Sequence, residues 1–275
     1  MSKITFIPVG GLANRMRAMA SAVTLAQASG STIEFVWFQD WALHAPFSSI
    51  FERPEGLFLR EAGWRDSLTL DRPRRRNFGL PRLWQRWHFD ACLYEQAVTP
   101  LQESGFSFRQ WAEGAGRRYM ASYSAFYPYE EALVGRLFVP VPEVRSEVER
   151  RLERFAPETV GVHIRRTDHA AAIAKSPTAL FFEQLDRDVE RNPDLGIFLA
   201  TDSDAVKREM GERYGTRVLT AQATADRSSV SGIRDGVADM FTLARTRRIY
   251  GSFQSTFSEL ASQLGGVPLH VLARG

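Results

Sequence analysis

The chain has 275 residues, 44% of them hydrophobic and 24% charged, which is ordinary for a globular protein of one large or two small domains. A formal charge of +3 is too small to imply a nucleic-acid partner, and the single cysteine, Cys92, excludes an internal disulfide and a cysteine-based metal cage. There is no apolar run of membrane-spanning length, and Met1-Ser2-Lys3 runs straight into strand-like residues without a signal-peptide pattern, so a cytoplasmic protein with at most peripheral membrane contact is expected.

The first elements form a β-α-β unit. Ile4 to Val9 predicts a strand, Asn14 to Ser29 a helix, and Ile33 to Phe38 a second strand, with connections short enough to suggest parallel pairing. Gly10-Gly11-Leu12-Ala13-Asn14-Arg15 joins the first strand to the helix as a glycine turn, without the G-x-G-x-x-G spacing of a dinucleotide loop. Arg15 and Arg17 open that helix, where their charge opposes the helix dipole, so a nearby anion is expected. Trp37 and Trp41 have the surface to stack on a sugar ring, although core packing is the plainer expectation.

Residues 45–128 read as irregular and are rich in aromatics and arginine. Within them, Asp71-Arg72-Pro73-Arg74-Arg75-Arg76 predicts a solvated basic loop, or one that touches an anionic acceptor or membrane surface. His44, His88 and His270 have no metal-ligand spacing. Val139-Pro140-Val141-Pro142 resists both helix and paired strand, which divides the chain into domains 1–140 and 141–275.

The second domain alternates more clearly. Val144, Val148, Leu152 and Phe155 have helical spacing. Strand Thr159–His163 follows, then a helix from Pro177 to Arg191, strand Gly196–Ala200 and a helix from Asp204 to Arg213. A short strand at Arg217–Thr220 precedes a helix from Val230 to Arg245, strand-like Arg248–Gly251, a helix from Thr256 to Leu264 and a last strand at Leu269–Leu272. This is the element order of an α/β doubly wound domain.

Three segments at strand ends carry chemistry. His163-Ile164-Arg165-Arg166-Thr167-Asp168 places adjacent arginines where a buried strand gives way to a loop. Ligands bind at that edge of open α/β sheets, and arginine grips phosphate through paired charge-assisted hydrogen bonds. A solvated surface pair explains the same two arginines equally well. Phe198-Leu199-Ala200-Thr201-Asp202-Ser203-Asp204 ends another strand in hydroxyls and carboxylates. Helix capping is the plain reading, and an Asp202-x-Asp204 metal site the weaker one. Ser255-Thr256-Phe257-Ser258 opens the helix after Gly251, where free amides and hydroxyls both cap a helix and hold an anion.

Gly161-Val162-His163-Ile164-Arg165-Arg166-Thr167-Asp168 resembles the H-x-R-R-x-D motif of the α1,6-fucosyltransferases, bacterial nodulation enzymes among them, and of the related protein O-fucosyltransferases. Leu199-Ala200-Thr201-Asp202, Gly236-Val237-Ala238-Asp239 and Ser255-Thr256-Phe257-Ser258 follow in family order, and Gly10 to Arg15 is similar to the N-terminal glycine loop of that superfamily. The resemblance covers the C-terminal half well and residues 45–130 only loosely.

The resemblance implies a GT-B fold, two Rossmann-like doubly wound domains with a cleft between them, the first on the acceptor side and the second holding the donor. It implies GDP-fucose as donor, inversion at the anomeric carbon, no metal or other cofactor, and a glycan, lipid-linked or small hydroxyl acceptor. By the same resemblance Arg165 holds the β-phosphate and the departing GDP, and His163 lines the nucleotide pocket. Asp239 reads the guanine edge, and Ser255, Thr256, Phe257 and Ser258 hold the diphosphate. Asp202 orders the loop or touches the nucleotide, and Arg166 and Asp168 are bracing or acceptor-facing. Gly11, Asn14 and Arg15 approach the donor from the first domain.

One departure concerns the general base. Some relatives carry a glutamate shortly after the motif, whereas here His169-Ala170-Ala171-Ala172-Ile173 follows Asp168. His169, Asp168 and Asp40 are the candidate proton acceptors, the histidine because its ordinary pKa lies near neutrality. The alternatives are a different nucleotide-sugar donor on the same fold, a non-catalytic nucleotide or glycan-binding module that lacks the base, and, more distantly, a nucleic-acid binder. The chain is short for the family, as for a minimal bacterial enzyme.

Overall fold

A computed structural model describes residues 1–166, 170–221, 226 and 228–274. The chain forms two compact units, Met1–Val139 and Pro140–Gly275.

The first unit contains β1 (Ser2–Pro8), α1 (Leu12–Ser29), β2 (Thr32–Trp37), β3 (Phe58–Glu61), α2 (Trp64–Thr69), α3 (Leu80–His88), β4 (Ala91–Leu93), α4 (Glu95–Glu103), α5 (Phe108–Glu113), β5 (Gly116–Ser122) and α6 (Glu131–Leu137). Its five strands form one sheet in the order β3-β2-β1-β5-β4, every pair parallel. One face packs Ile7, Val36, Tyr119 and Ala121 against Leu70, Trp84 and Phe89 from the α2–α3 region. On the other, Phe6 meets Phe35 and Phe126, and Phe126 meets Phe108 of α5. Residues 45–128 are therefore not irregular. They supply three of the five strands, including β5, which pairs with β1 from Ser2↔Gly116 to Pro8↔Ser122. Arg117 and Arg118 at its start hide the apolar pattern, which begins only at Tyr119.

The second unit contains α7 (Pro142–Leu152), β6 (Thr159–Ile164), α8 (Ala170–Lys175), α9 (Thr178–Arg191), β7 (Gly196–Thr201), α10 (Asp204–Tyr214), β8 (Val218–Thr220), α11 (Val230–Leu243), β9 (Ile249–Gly251), α12 (Thr256–Gly265) and β10 (Leu269–Val271). The sheet order is β10-β9-β6-β7-β8, again fully parallel. Val160, Val162 and Ile164 face Phe181 and Leu185 of α9, in one cluster with Val206 and Met210 of α10. On the opposite face a Cβ at Gly161 would lie 2.8 Å from Leu243 of α11, so glycine is what allows that helix to approach. Helices on both faces explain why the strands read as continuous apolar runs rather than alternating ones.

The order has a consequence for function. The chain leaves β6 toward β7 on one side and reaches β9 on the other, so β6 and β9 border the point where strand order reverses. Ligands of doubly wound sheets bind outside the carboxyl ends of strands at that point. In the second unit those ends are Ile164 and Gly251.

Candidate functional site

The loop after β6 and the loop after β9 are tied together by hydroxyls. Ser252 Oγ accepts from the Arg165 amide at 3.2 Å and donates to the His163 carbonyl at 3.3 Å. Ser176, fully buried between α8 and α9, accepts from the Phe253 amide through Oγ at 2.8 Å. Its carbonyl accepts from Arg166 Nη2 at 2.7 Å. Gln254 takes φ +51°, a left-handed conformation uncommon for a residue with a side chain, and Ser255 then caps α12 by accepting from the Ser258 amide. A Cβ at Gly251 would lie 2.8 Å from Ser258 Oγ and 2.9 Å from Leu269, so only glycine lets the first turn of α12 close on β9.

His163 sits against that first turn. Its Nδ1 is hydrogen-bonded to Ser258 Oγ at 2.8 Å and to Ser255 Oγ at 3.1 Å, and its ring stacks on Phe257 with centroids 4.7 Å apart. The structure therefore gathers His163, Arg165, Ser255, Thr256, Phe257 and Ser258 at the carboxyl ends of β6 and β9. A helix N-terminus beside an arginine is suited to an anion.

The arginine pair is divided. Arg166 is a brace: its guanidinium donates to the Ser176 carbonyl, to Thr178 Oγ1 at 3.0–3.1 Å and to the Arg165 carbonyl at 2.9 Å. Its amide donates to Asp202 Oδ1 at 2.7 Å, so Asp202 orders the loop. Thr201 Oγ1 donates to the Ile164 carbonyl at 2.7 Å, and Ser203 is the residue that caps α10. Among the described residues there is no group of three or more His, Cys, Asp or Glu side chains able to hold a metal ion.

Asp239 lies on α11 and is mostly buried. Its Oδ1 accepts from Arg151 Nη1 of α7 at 2.8 Å. Burial pushes its carboxyl up to about 6, against the opposing pull of Arg151. Arg151 also donates to Glu147 Oε1 at 2.7 Å and lies over the Phe198 ring. Ser176, Thr178 and Ser252, which tie the loops together, and Arg151, which pairs with Asp239, were not singled out in the sequence. Each acts through an ordinary hydroxyl or charge with no motif around it.

The first unit holds the remaining candidates. Gly11 is the N-cap of α1, and Gly10 before it adopts φ +84° with Asn14 packed beneath. The anion expected near Arg15 is internal. Arg15 is fully buried, and it donates to the Gly10 carbonyl at 2.8 Å, the Phe38 carbonyl at 2.5 Å and Asp40 Oδ1 at 2.9 Å. It also lies over the Trp37 ring at 4.7 Å. Burial pulls the guanidinium down to about 10. Asp40 in turn accepts from the Ala42 amide at 3.0 Å and from Arg72 at 3.4 Å. Arg15 and Asp40 thus brace the loops after β1 and β2. Trp37 is core, with Nε1 donating to the Ala45 carbonyl at 2.9 Å, whereas Trp41 is exposed. The Asp71–Arg76 loop is not simply solvated, since Asp71 and Arg72 are buried and Arg72 pairs with Glu95 at 3.3 Å. Asp168 and His169 lie outside the described residues.

No family model matches the sequence, and no curated protein sequence matches it. The fold does have relatives: it is that of GT-B fucosyltransferases. NodZ alpha-1,6-fucosyltransferase, known from Bradyrhizobium, superposes in its GDP co-crystal with a TM-score of 0.67 at 19% identity, over 97% of this chain and 93% of NodZ. A point mutant of Arabidopsis thaliana FUT1 in complex with GDP gives 0.64 at 15% identity, over 99% of this chain and 70% of that one. POFUT1 in complex with GDP-fucose gives 0.59 at 12% identity, over 98% of each chain.

Proposed function

We propose that the chain is a glycosyltransferase that moves fucose from GDP-fucose to a hydroxyl of a glycan, lipid-linked or small acceptor, inverting the anomeric carbon without a metal ion. The observation that carries this reading is the Ser252 bridge, which holds the Arg165 loop against the loop that leads from β9 into α12, at the strand-order reversal. Relatives of the same fold are crystallised with GDP or GDP-fucose, which makes a GDP-sugar the natural ligand for such a site.

In this mechanism the acceptor hydroxyl attacks the anomeric carbon from the face opposite GDP. The bond to the β-phosphate oxygen breaks, and negative charge grows on the diphosphate. Arg165, the Thr256 hydroxyl and the Thr256 and Phe257 amides stabilise that charge in the role a divalent cation fills elsewhere, with Ser255 and Ser258 shaping the turn that presents them. His163 is a positioning residue, held by Ser255 and Ser258. The ionised Asp239 carboxylate accepts the N1–H and N2–H of guanine. Asp168 or His169 takes the acceptor proton, since Asp40 is engaged with Arg15 and Arg72. The second unit is the donor domain, and the first, with Gly11 and Asn14, is the acceptor side.

A ligand that binds only the folded state raises the melting temperature by mass action. GDP-fucose and GDP are expected to raise it, and UDP-sugars are not. GDP-mannose in the same comparison reports how far the site reads the sugar. No shift with any guanine nucleotide overturns the reading.

A further inference from the structure

The charge of this chain is concentrated in one place. Residues 64–88 hold seven arginines against two aspartates, a net +5 that exceeds the +3 of the whole chain. Both aspartates are paired internally, Asp66 with Arg60 at 2.7 Å and Asp71 with Arg74 at 2.5 Å. The same segment exposes large apolar side chains, with Phe78 and Trp87 each 89% accessible. On α3, Leu80, Leu83 and Trp87 recur at i, i+3 and i+7 and form one outward stripe, while Pro81 and Gln85 are buried on the face turned inward. Arg82 and Arg86 lie beside that stripe, also exposed, and Leu83, Arg86 and Trp87 line an open cavity of about 440 Å³. The adjoining helix α2 exposes Trp64 and Leu68.

We propose that this surface docks the chain on an anionic lipid bilayer. Soluble proteins rarely expose so many large apolar groups together without an interaction partner. An apolar stripe of Trp, Leu and Phe flanked by arginine is the pattern of a helix lying in a membrane interface, where the indoles enter the headgroup boundary and the guanidinium groups meet lipid phosphates. The surplus of unopposed basic groups selects a negatively charged partner, and the apolar stripe selects one with an apolar layer beneath its charge. Arg72 links the Asp71–Asn77 loop to Asp40 just past β2, so the docking segment lies near the carboxyl edge of its own sheet.

Co-sedimentation of the intact chain with vesicles tests this. Phosphatidylcholine vesicles containing phosphatidylglycerol are expected to carry the protein down at low salt, pure phosphatidylcholine vesicles to carry little, and added salt to release it. Arg76→Glu with Arg86→Glu, and separately Leu83→Ser with Trp87→Ser, should each weaken partitioning about tenfold or more. All four side chains are exposed, so the melting temperature and GDP-induced shift should stay unchanged. Equal binding to neutral and anionic vesicles, or none to either, overturns the proposal. So does a dimer or a nucleic-acid complex that forms through this surface and is lost in the same variants.

Discussion

Ser258 Oγ lies 2.8 Å from Nδ1 of His163, so the first turn of α12 is hydrogen-bonded to the last turn-out of the central strand β6. With the Ser252 and Ser255 bonds, this bond fastens the end of β6 to the segment after β9, the two ends that border the strand-order reversal. It depends on close approach at Gly251, whose missing side chain leaves room for Ser258. Gly251→Ala is expected to push the first turn of α12 away and to lower GDP affinity about tenfold, with a stability loss of about 1–3 kcal/mol from overpacking. Calorimetric GDP titration and denaturant unfolding measure both. Unchanged GDP affinity would separate α12 from the anion site.

Asp239 makes a pH prediction of two opposite signs. Its carboxyl is raised to about 6 in the folded chain, whereas an unfolded aspartate titrates near 3.9. Between those values the folded state binds the proton more tightly, so this group's contribution to stability increases as pH falls from about 6 toward 4. In the proposed guanine-reading role the carboxylate must be ionised, so GDP affinity should fall over the same window, by roughly tenfold one pH unit below the folded value. Asp239→Asn should weaken GDP binding at neutral pH and flatten its pH profile. A profile that persists in Asp239→Asn assigns the titration to another group.

Much of the second unit was legible in its sequence, and the reason is physical. Strands buried on both faces produce unbroken apolar runs such as Val160–Val162 and Ile197–Ala200, and the polar residues that end them stand out. The first unit was legible only at β1, α1 and β2. β3, β4 and β5 are short or begin with charged residues, and the arginines between them pair with carboxylates distant in sequence, as Arg72 does with Asp40 and Glu95. The internal ion partner of Arg15 was hidden for the same reason. Its compensating anion, Asp40, lies 25 residues along the chain, and no local pattern shows it.

Arg15 and Asp40 therefore predict a stability effect. Arg15→Met leaves Asp40 paired with Arg72 alone and the Gly10 and Phe38 carbonyls without this donor, at a cost of about 3 kcal/mol. Asp40→Asn should cost less, since an amide still accepts from Arg15. Unfolding monitored by circular dichroism checks the order. Wild-type stability with lost turnover in Asp40→Asn would instead return Asp40 to the reaction as a base.

Arg166 separates bracing from chemistry. Arg166→Lys cannot reproduce donation to Ser176, Thr178 and the Arg165 carbonyl at once. It should lower the melting temperature and loosen GDP-fucose binding, and it should change the chemical step less than the equivalent change at Arg165. Single-turnover rates at saturating donor make the comparison.

The most direct test is GDP release from GDP-fucose, followed with and without a panel of hydroxyl acceptors, by the intact chain and by Arg165→Ala. The intact chain should release GDP and transfer fucose with inversion in the presence of EDTA. Arg165→Ala should bind GDP yet turn over on the order of a hundred- to a thousandfold more slowly, the loss expected for a group that stabilises the leaving charge. Undiminished turnover by Arg165→Ala, or tight GDP binding with no turnover on any acceptor, would contradict the account.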